Sequence, residues 1–155
     1  MAAMALPGTA QAASPAEAWG LLKNAGLDAC LDAAPGNSTV MVDCDGSTSQ
    51  RWLLENLGEQ TGEYGSFRLR KNDRECAELA GTWAGATLRI GPCDLHAPHQ
   101  LFQITQAGGN VGDLHLHGQE NKQLLKAYHR GEAPFTSATL ELPGDNAVWT
   151  FRPRG

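Results

Sequence analysis

The chain has 155 residues, of which 41% are hydrophobic and 19% charged, and this composition is typical of one globular domain rather than a disordered segment. Its formal net charge of −5 argues against nucleic acid or an anionic membrane as a partner, because both bind clustered lysine and arginine. No apolar run approaches the ~18 residues that cross a bilayer, so we expect no membrane span.

The first 18 residues are small, Ala-rich and uncharged before Glu17. Ala10-Gln11-Ala12 has the small-x-small form of a signal-peptidase site, although the positively charged start of a signal peptide is missing. We interpret residues 1–18 as the remnant of a secretory signal, with a flexible N-terminus as the alternative. The four cysteines, an even number, agree with a secreted, extracellular protein. Residues 16–22 predict one turn of helix.

From residue 19 onward, one pattern of apolar runs and turns recurs three times, over about residues 19–64, 65–108 and 109–153. Each repeat contains four short apolar or alternating runs separated by turn residues, as short β-strands do. In the third repeat, the run over residues 139–142 corresponds to the third strand. Three such repeats predict about twelve strands around a pseudo-threefold axis, because one repeat cannot bury its own apolar face.

The last apolar run of each repeat contains an aromatic residue, and these residues recur about 50 positions apart: Trp52, Phe102 and Trp149. We predict that all three pack inward at equivalent positions of the core. Gln50 and Gln100 stand two residues before the first two aromatic residues, and we expect their side chains to stabilise a turn.

The motifs Cys30-Leu31-Asp32, Cys44 and Gln50-Arg51-Trp52, with Cys76, Cys93 and Gln100-Leu101-Phe102, resemble those of the ricin B-type β-trefoil lectins. That family repeats a Gln-x-Trp motif three times, and the resemblance covers about residues 19–153. It implies an all-β chain forming a single β-trefoil domain over residues 19–155.

The same resemblance implies one disulfide inside each of the first two repeats, Cys30–Cys44 and Cys76–Cys93. Four cysteines alone allow three pairings, of which the phase of the repeat favours this one. The spacing contains no Cys-x2-Cys pair, which argues against structural zinc.

Lectins of this family hold a sugar with an acid after the first cysteine, an aromatic ring before the second, and an Asn or Gln near the Gln-x-Trp motif. The resemblance places Asp32 and Glu78 at the acidic position. Aliphatic residues or glycine replace the ring, and no repeat keeps the complete set. The ring is replaced by Val42, by the segment 90–92 and, in the third repeat, by Leu142. The Asn is replaced by Ser49 and His99, and the acid of the third repeat by Lys126.

The second repeat is the best candidate site, because Trp83 lies among small residues that leave its ring exposed as a stacking platform; the alternative is a ring that covers the barrel edge. The loop with Tyr128, His129 and Arg130 is interpreted as plain surface. The candidate carbohydrate-binding residues are Glu78, Trp83, Arg89, His99 and Gln100, followed by Asp32 and Gln50.

The chain lacks any recognisable motif that combines a nucleophile with a base, so we expect no catalysis, no cofactor and no metal. The sequence favours a secreted, non-catalytic, lectin-like module with degenerate sugar sites and a glycan or glycoprotein partner. The alternative is a protein-interaction trefoil: a binding or targeting subunit of a secreted toxin or enzyme complex, or a protease inhibitor.

Overall fold

Twelve β-strands form the described part of the computed structural model, which comprises residues 18–61, 64–94, 96–107, 112–120, 122–137 and 144–153. The strands are β1 Ala18–Asn24, β2 Ala29–Ala34, β3 Ser38–Val42, β4 Trp52–Thr61, β5 Tyr64–Arg70, β6 Glu75–Leu79, β7 Leu88–Pro92, β8 Phe102–Gln106, β9 Asp113–Gly118, β10 Leu124–Lys126, β11 Phe135–Ser137 and β12 Trp149–Pro153. Short 3-10 turns precede β4, β8 and β12, at Thr48–Gln50, Pro98–Gln100 and Asp145–Ala147. The predicted all-β trefoil is confirmed.

Six of these strands close into a barrel. Antiparallel pairing runs from β1 to β4, β5, β8, β9 and β12, and β12 pairs again with β1. Each repeat contributes its first and last strand to this ring, which is why the three repeats share one closed sheet. Closure matters because an open sheet would present unpaired backbone groups at its edges.

The remaining six strands form three hairpins, β2–β3, β6–β7 and β10–β11, one from each repeat. The hairpins also contact one another. Ser38 of β3 lies opposite Arg89 of β7, Thr87 forms a bridge with Phe135, and the backbone N–H of Met41 donates to the carbonyl of Glu132 at 3.0 Å. These contacts join the repeats into one unit with pseudo-threefold symmetry.

The aromatic residues Trp52, Phe102 and Trp149 begin β4, β8 and β12 and are at most 1% exposed. The indole N–H of Trp52 donates to the carbonyl of Leu31, and that of Trp149 to the carbonyl of Leu125, each at 3.0 Å. Both indole groups therefore occupy equivalent positions in the core. Burial of each large apolar side chain stabilises the fold by ~1.5–3 kcal/mol.

The two predicted disulfides are confirmed: Cys30 bonds to Cys44 and Cys76 to Cys93. Each ties the start of its hairpin to the chain just beyond its end. A closed loop of this length stabilises the folded state by about 3 kcal/mol in the chain-entropy model. In the third repeat Leu124 lies opposite Ser137, so backbone pairing and packing hold that hairpin.

One of the predicted elements needs correction. Residues 16–22 do not form a helical turn over their described part, because Ala18–Asn24 is a barrel strand that pairs with both β4 and β12. In the third repeat, β10 pairs with Phe135–Ser137, and the strand predicted over residues 139–142 lies outside the described residues. Residues 138–143, like residues 1–17, lie outside the described part of the chain.

Candidate functional site

The side chain of Gln50 organises the first repeat. It is fully buried, and its Oε1 accepts a hydrogen bond from the backbone N–H of Asp45 at 2.9 Å. Its Nε2 donates to the carbonyl of Asp43 at 2.7 Å and to Oδ2 of Asp32 at 3.2 Å. One amide therefore holds the turn after β3 and orients the Asp32 carboxylate.

Gln100 makes the same set of contacts in the second repeat. Its Oε1 accepts from the N–H of Asp94 at 2.9 Å, and its Nε2 donates to the carbonyl of Pro92 at 2.6 Å and to Oε1 of Glu78 at 3.0 Å. We call each combination of a glutamine and its carboxylate an acid–glutamine pair. The structure thus brings together Asp32 with Gln50, and Glu78 with Gln100.

The third repeat has no such pair, since Ala147 and Lys126 stand at the equivalent positions. Lys126 is buried. Asn146 replaces part of the network, because its side-chain N–H donates to the carbonyl of Ala127 at 2.6 Å and its own carbonyl accepts from Asn24 at 2.9 Å. The described part of this repeat keeps the turn but not the acid.

The two carboxylates differ in their remaining hydrogen-bonding capacity. Oδ1 of Asp32 has no partner among the residues that the structure describes. Both oxygens of Glu78 are used, since Oε2 accepts from Nε of Arg89 at 2.8 Å and Oε1 from Gln100. Asp32 is therefore the freer acceptor.

The carboxylate of Glu78 lies against Gly91. A Cβ added to Gly91 would lie 2.6 Å from Cδ of Glu78. The glycine thus permits the carboxylate to lie against the backbone of β7. Arg89, its ion-pair partner, keeps half of its side chain exposed and directs further guanidinium N–H groups outward.

Lys71 completes the surroundings of Asp32, and sequence reasoning missed it. Its Nζ donates to the carbonyls of Thr48 at 2.6 Å and Arg51 at 3.1 Å, and lies 5.3 Å from the centre of the Trp52 ring. Burial lowers the pKa of Lys71, and the nearby carboxylate of Asp32 opposes that shift. The contact crosses from the second repeat to the first, so no local sequence signal marks it.

The other two second-repeat candidates have different partners. Nδ1 of His99 lies 3.0 Å from Oε1 of Glu120, at the junction with the third repeat. Trp83 is 59% exposed, and its ring lies on Gly81. Of the five candidates in this repeat, the described contacts unite Glu78, Arg89 and Gln100.

The loop interpreted as plain surface links two repeats. Tyr128 is 45% exposed and packs on Phe135, with ring centres 5.7 Å apart. Arg130 contacts the first repeat: its guanidinium donates to the carboxylate of Asp43 and to the carbonyls of Leu27 at 2.8 Å and Asp28 at 3.1 Å. The exposed side of the loop agrees with the interpretation, but the bridging role of Arg130 was missed.

Within the described ranges, no group of three or more His, Cys, Asp or Glu side chains is placed to hold a metal ion. The same residues include no helix of sufficient length and hydropathy to cross a membrane.

Comparison with solved structures supports the trefoil. The designed threefold-symmetric protein ThreeFoil superposes with a TM-score of 0.69 at 17% identity, over 86% of this chain and 96% of that one. A Polyporus squamosus lectin, bound to a human-type influenza-binding epitope, superposes with a TM-score of 0.68 at 17% identity. The match covers 88% of this chain and 49% of the lectin. An exo-β-1,3-galactanase from Clostridium thermocellum superposes with a TM-score of 0.71 at 18% identity. The match covers 90% of this chain but 31% of the galactanase.

No curated protein sequence matches this chain. The family model of the ricin-type β-trefoil lectin domain matches residues 18–130, which is most of the chain. Together with the closed barrel, the three hairpins and the buried glutamines, this match shows that the chain belongs to the ricin-type β-trefoil lectin family.

Proposed function

We propose that this protein is a secreted, non-catalytic carbohydrate-binding module whose two acid–glutamine pairs contact sugar hydroxyls. One observation carries the proposal: in both repeats a buried glutamine holds a carboxylate at the family's acidic position. Solved neighbours include lectins with bound saccharides, such as SeviL with asialo-GM1 saccharide, at 12% identity and a TM-score of 0.64. The two disulfides support an oxidising compartment.

The first repeat supplies the simpler site. Oδ1 of Asp32 accepts a hydrogen bond from a sugar hydroxyl while Oδ2 stays on Gln50. A carboxylate acceptor forms stronger hydrogen bonds than a neutral one, and its fixed position reduces the entropy lost on binding. The neighbouring wall consists of Val40 and Val42 rather than a ring, so we expect a shallow site of low affinity.

The second repeat contributes charge and an aromatic face. The exposed part of Arg89 donates to sugar oxygens while Nε stays on Glu78, which Gln100 holds in place. Trp83 offers its exposed ring to the apolar face of a sugar, and His99 lies at the rim towards the third repeat.

A glycan array probed with the labelled protein tests the proposal. We expect binding to at least one glycan, because the acids are ordered before any ligand arrives. If the protein binds none of the glycans at high protein concentration, the proposed carbohydrate-binding function is wrong.

Variants then assign the sites on the best glycan by calorimetry. Asp32→Ala should weaken binding about tenfold or more if the first repeat is used, since a hydrogen bond to a charged group contributes ~1.5–3 kcal/mol. Trp83→Ala should weaken binding if the second repeat is used, and unchanged affinity would remove Trp83 from the site. Glu132→Ala, an exposed acid in the third repeat, is the matched control.

The alternative function is a protein-interaction trefoil, acting as a binding or targeting subunit of a secreted toxin or enzyme complex, or as a protease inhibitor. The glycine at position 91 favours it, because the ring that family lectins use for sugar stacking is absent there. Co-purification with one secreted protein, together with a blank glycan array, would support this function over the first.

A further inference from the structure

Two histidines of the third repeat lie side by side on the outer face of the barrel. His115 and His117 flank Leu116 on β9, and the side chain of Leu116 is buried in the core. Because successive side chains of a strand point to opposite faces, both imidazole rings point away from the core. The rings contact edge to face, with centres 6.3 Å apart. β9 therefore presents two neighbouring nitrogen donors on the surface.

The ring of His117 is held in one orientation by two neighbours. Its Nε2 lies 3.1 Å from the hydroxyl oxygen of Thr105 on β8. The ring also forms a hydrogen bond with the backbone of Lys122. The N–H of Lys122 already donates to the carbonyl of Gly118 at 2.8 Å, so the carbonyl of Lys122 is the group that accepts from the ring.

These contacts decide which ring nitrogen of His117 carries the proton. Since Nε2 faces Thr105, Nδ1 is the nitrogen that donates to Lys122. Nε2 then keeps its lone pair and accepts from the hydroxyl of Thr105, which a metal ion can replace. Histidines that bind metals usually donate their other ring nitrogen to a backbone carbonyl or a carboxylate, which fixes the tautomer and makes the ligand nitrogen more basic.

His115 is the freer of the two rings, and a small movement suits both to one ion. Its side chain is partly exposed and makes no hydrogen bond within the described ranges. An imidazole nitrogen binds Zn²⁺ at ~2.0–2.1 Å, which places the centres of two rings on a tetrahedral ion about 5 Å apart. Rotation of the His115 side chain between rotamers closes the difference from 6.3 Å.

The charges around the two rings are of mixed sign. Nζ of Lys122 lies 3.4 Å from Oε1 of Gln103, the residue that pairs with His117 across the sheet, and this ammonium opposes a bound cation. Asp113 precedes His115 by two residues, shares its face of β9 and favours a cation. We therefore expect the ring nitrogens, rather than the surrounding charge, to set the affinity.

We propose that His115 and His117 bind one divalent transition-metal ion, through Nε2 of His117 and a ring nitrogen of His115. Imidazole suits Cu²⁺, Ni²⁺ and Zn²⁺, whereas Mg²⁺ and Ca²⁺ prefer oxygen ligands, and Cu²⁺ should bind most tightly. Water completes the coordination, because the described residues place no third His, Cys, Asp or Glu there. The proposal departs from the sequence-based expectation of no metal, since only the folded chain shows how the ring of His117 is held.

Isothermal titration calorimetry of the full chain with CuCl₂, NiCl₂ and ZnCl₂ tests the proposal. We expect one ion per chain, tightest binding for Cu²⁺, and no binding of Mg²⁺ or Ca²⁺. His115→Ala should weaken Cu²⁺ binding about tenfold or more, because the second ring contacts the bound ion intramolecularly. This variant carries little folding risk, since the side chain makes no hydrogen bond among the described residues. His129→Ala, at an exposed position of the same repeat, is the matched control.

Nitrogen NMR spectra of the histidine side chains give a second measurement on the wild-type protein. Zn²⁺ should shift the ring resonances of His115 and His117 and leave those of the other three histidines in place. Equal Cu²⁺ affinity of wild type and His115→Ala, or Zn²⁺ shifts confined to other histidines, would overturn the site. So would a lack of binding by all three ions. None of these results bears on glycan binding, which depends on different residues.

Discussion

A single amide side chain, that of Gln50, stabilises the turn that follows the first hairpin. Gln50→Ala would leave the backbone N–H of Asp45 and the carbonyl of Asp43 without this partner. We expect a loss of about 1–3 kcal/mol in the free energy of unfolding, since each of the two hydrogen bonds contributes ~0.5–1.5 kcal/mol. Urea unfolding measures the change. Thr48→Ala, at an exposed position of the same turn, is the control, and equal stability of the two variants would contradict the role of Gln50.

Sequence motifs identify the residues that contact one another within a repeat, but not those that contact a different repeat. The repeated spacing was sufficient to find Gln50 and Gln100, and the family resemblance placed their carboxylates, because these contacts lie within one repeat. Lys71 and Arg130 escaped detection, because each contacts a different repeat and only the folded chain brings them there. The position of Glu78 against Gly91 likewise depends on strand register rather than on residue type.

Between strands β4 and β5, Glu55 forms a cross-strand ion pair with the buried Arg68. Burial alone would raise the pKa of Glu55, but hydrogen bonds from Arg68 and Arg70, each at 2.9 Å, hold it below its ordinary value of 4.5. A lowered pKa in the folded state stabilises the protein above the unfolded pKa, and this contribution disappears as the pH falls through the folded value.

We therefore expect the protein to lose stability as the pH falls below about 4.5, and Glu55→Gln to flatten this loss. At pH 7 the variant should be less stable, because Arg68 then lacks its counter-charge in a buried position. Melting temperatures from pH 7 to pH 3 measure both effects. Glu132→Gln serves as the control, and parallel pH profiles of wild type and Glu55→Gln would refute the ion pair's contribution.

Element boundaries were less predictable than element number. The short apolar stretch before Lys23 is compatible with a helical turn or a strand. It forms a strand because it pairs with both β4 and β12. In the third repeat, residues 139–142 alternate more clearly than Phe135–Ser137, yet β10 pairs with the latter. Phe135, the first residue of β11, also forms a bridge with Thr87 of the second repeat, a long-range contact that no local pattern marks.

For the whole molecule, closure of the barrel depends on its final strand. The family match ends at residue 130, but β11 and β12 follow, and Trp149 pairs with Asn24 to return the sheet to β1. A chain that ends at Arg130 should not unfold cooperatively, because it lacks a core indole and leaves β1 and β9 each without one of their two barrel neighbours. Circular dichroism in urea measures this, with a chain ending at Pro153 as the control. A cooperative transition in the shorter chain would contradict the closed-barrel account.

At the scale of the whole molecule, we propose that two acid–glutamine pairs give this trefoil its ability to bind glycans. A glycan array that compares wild type with the Asp32→Asn/Glu78→Gln double variant tests it most directly, after circular dichroism shows that both are folded. We expect wild type to bind at least one glycan and the double variant to lose binding to that glycan. Equal binding by both proteins, or binding by neither, would contradict it.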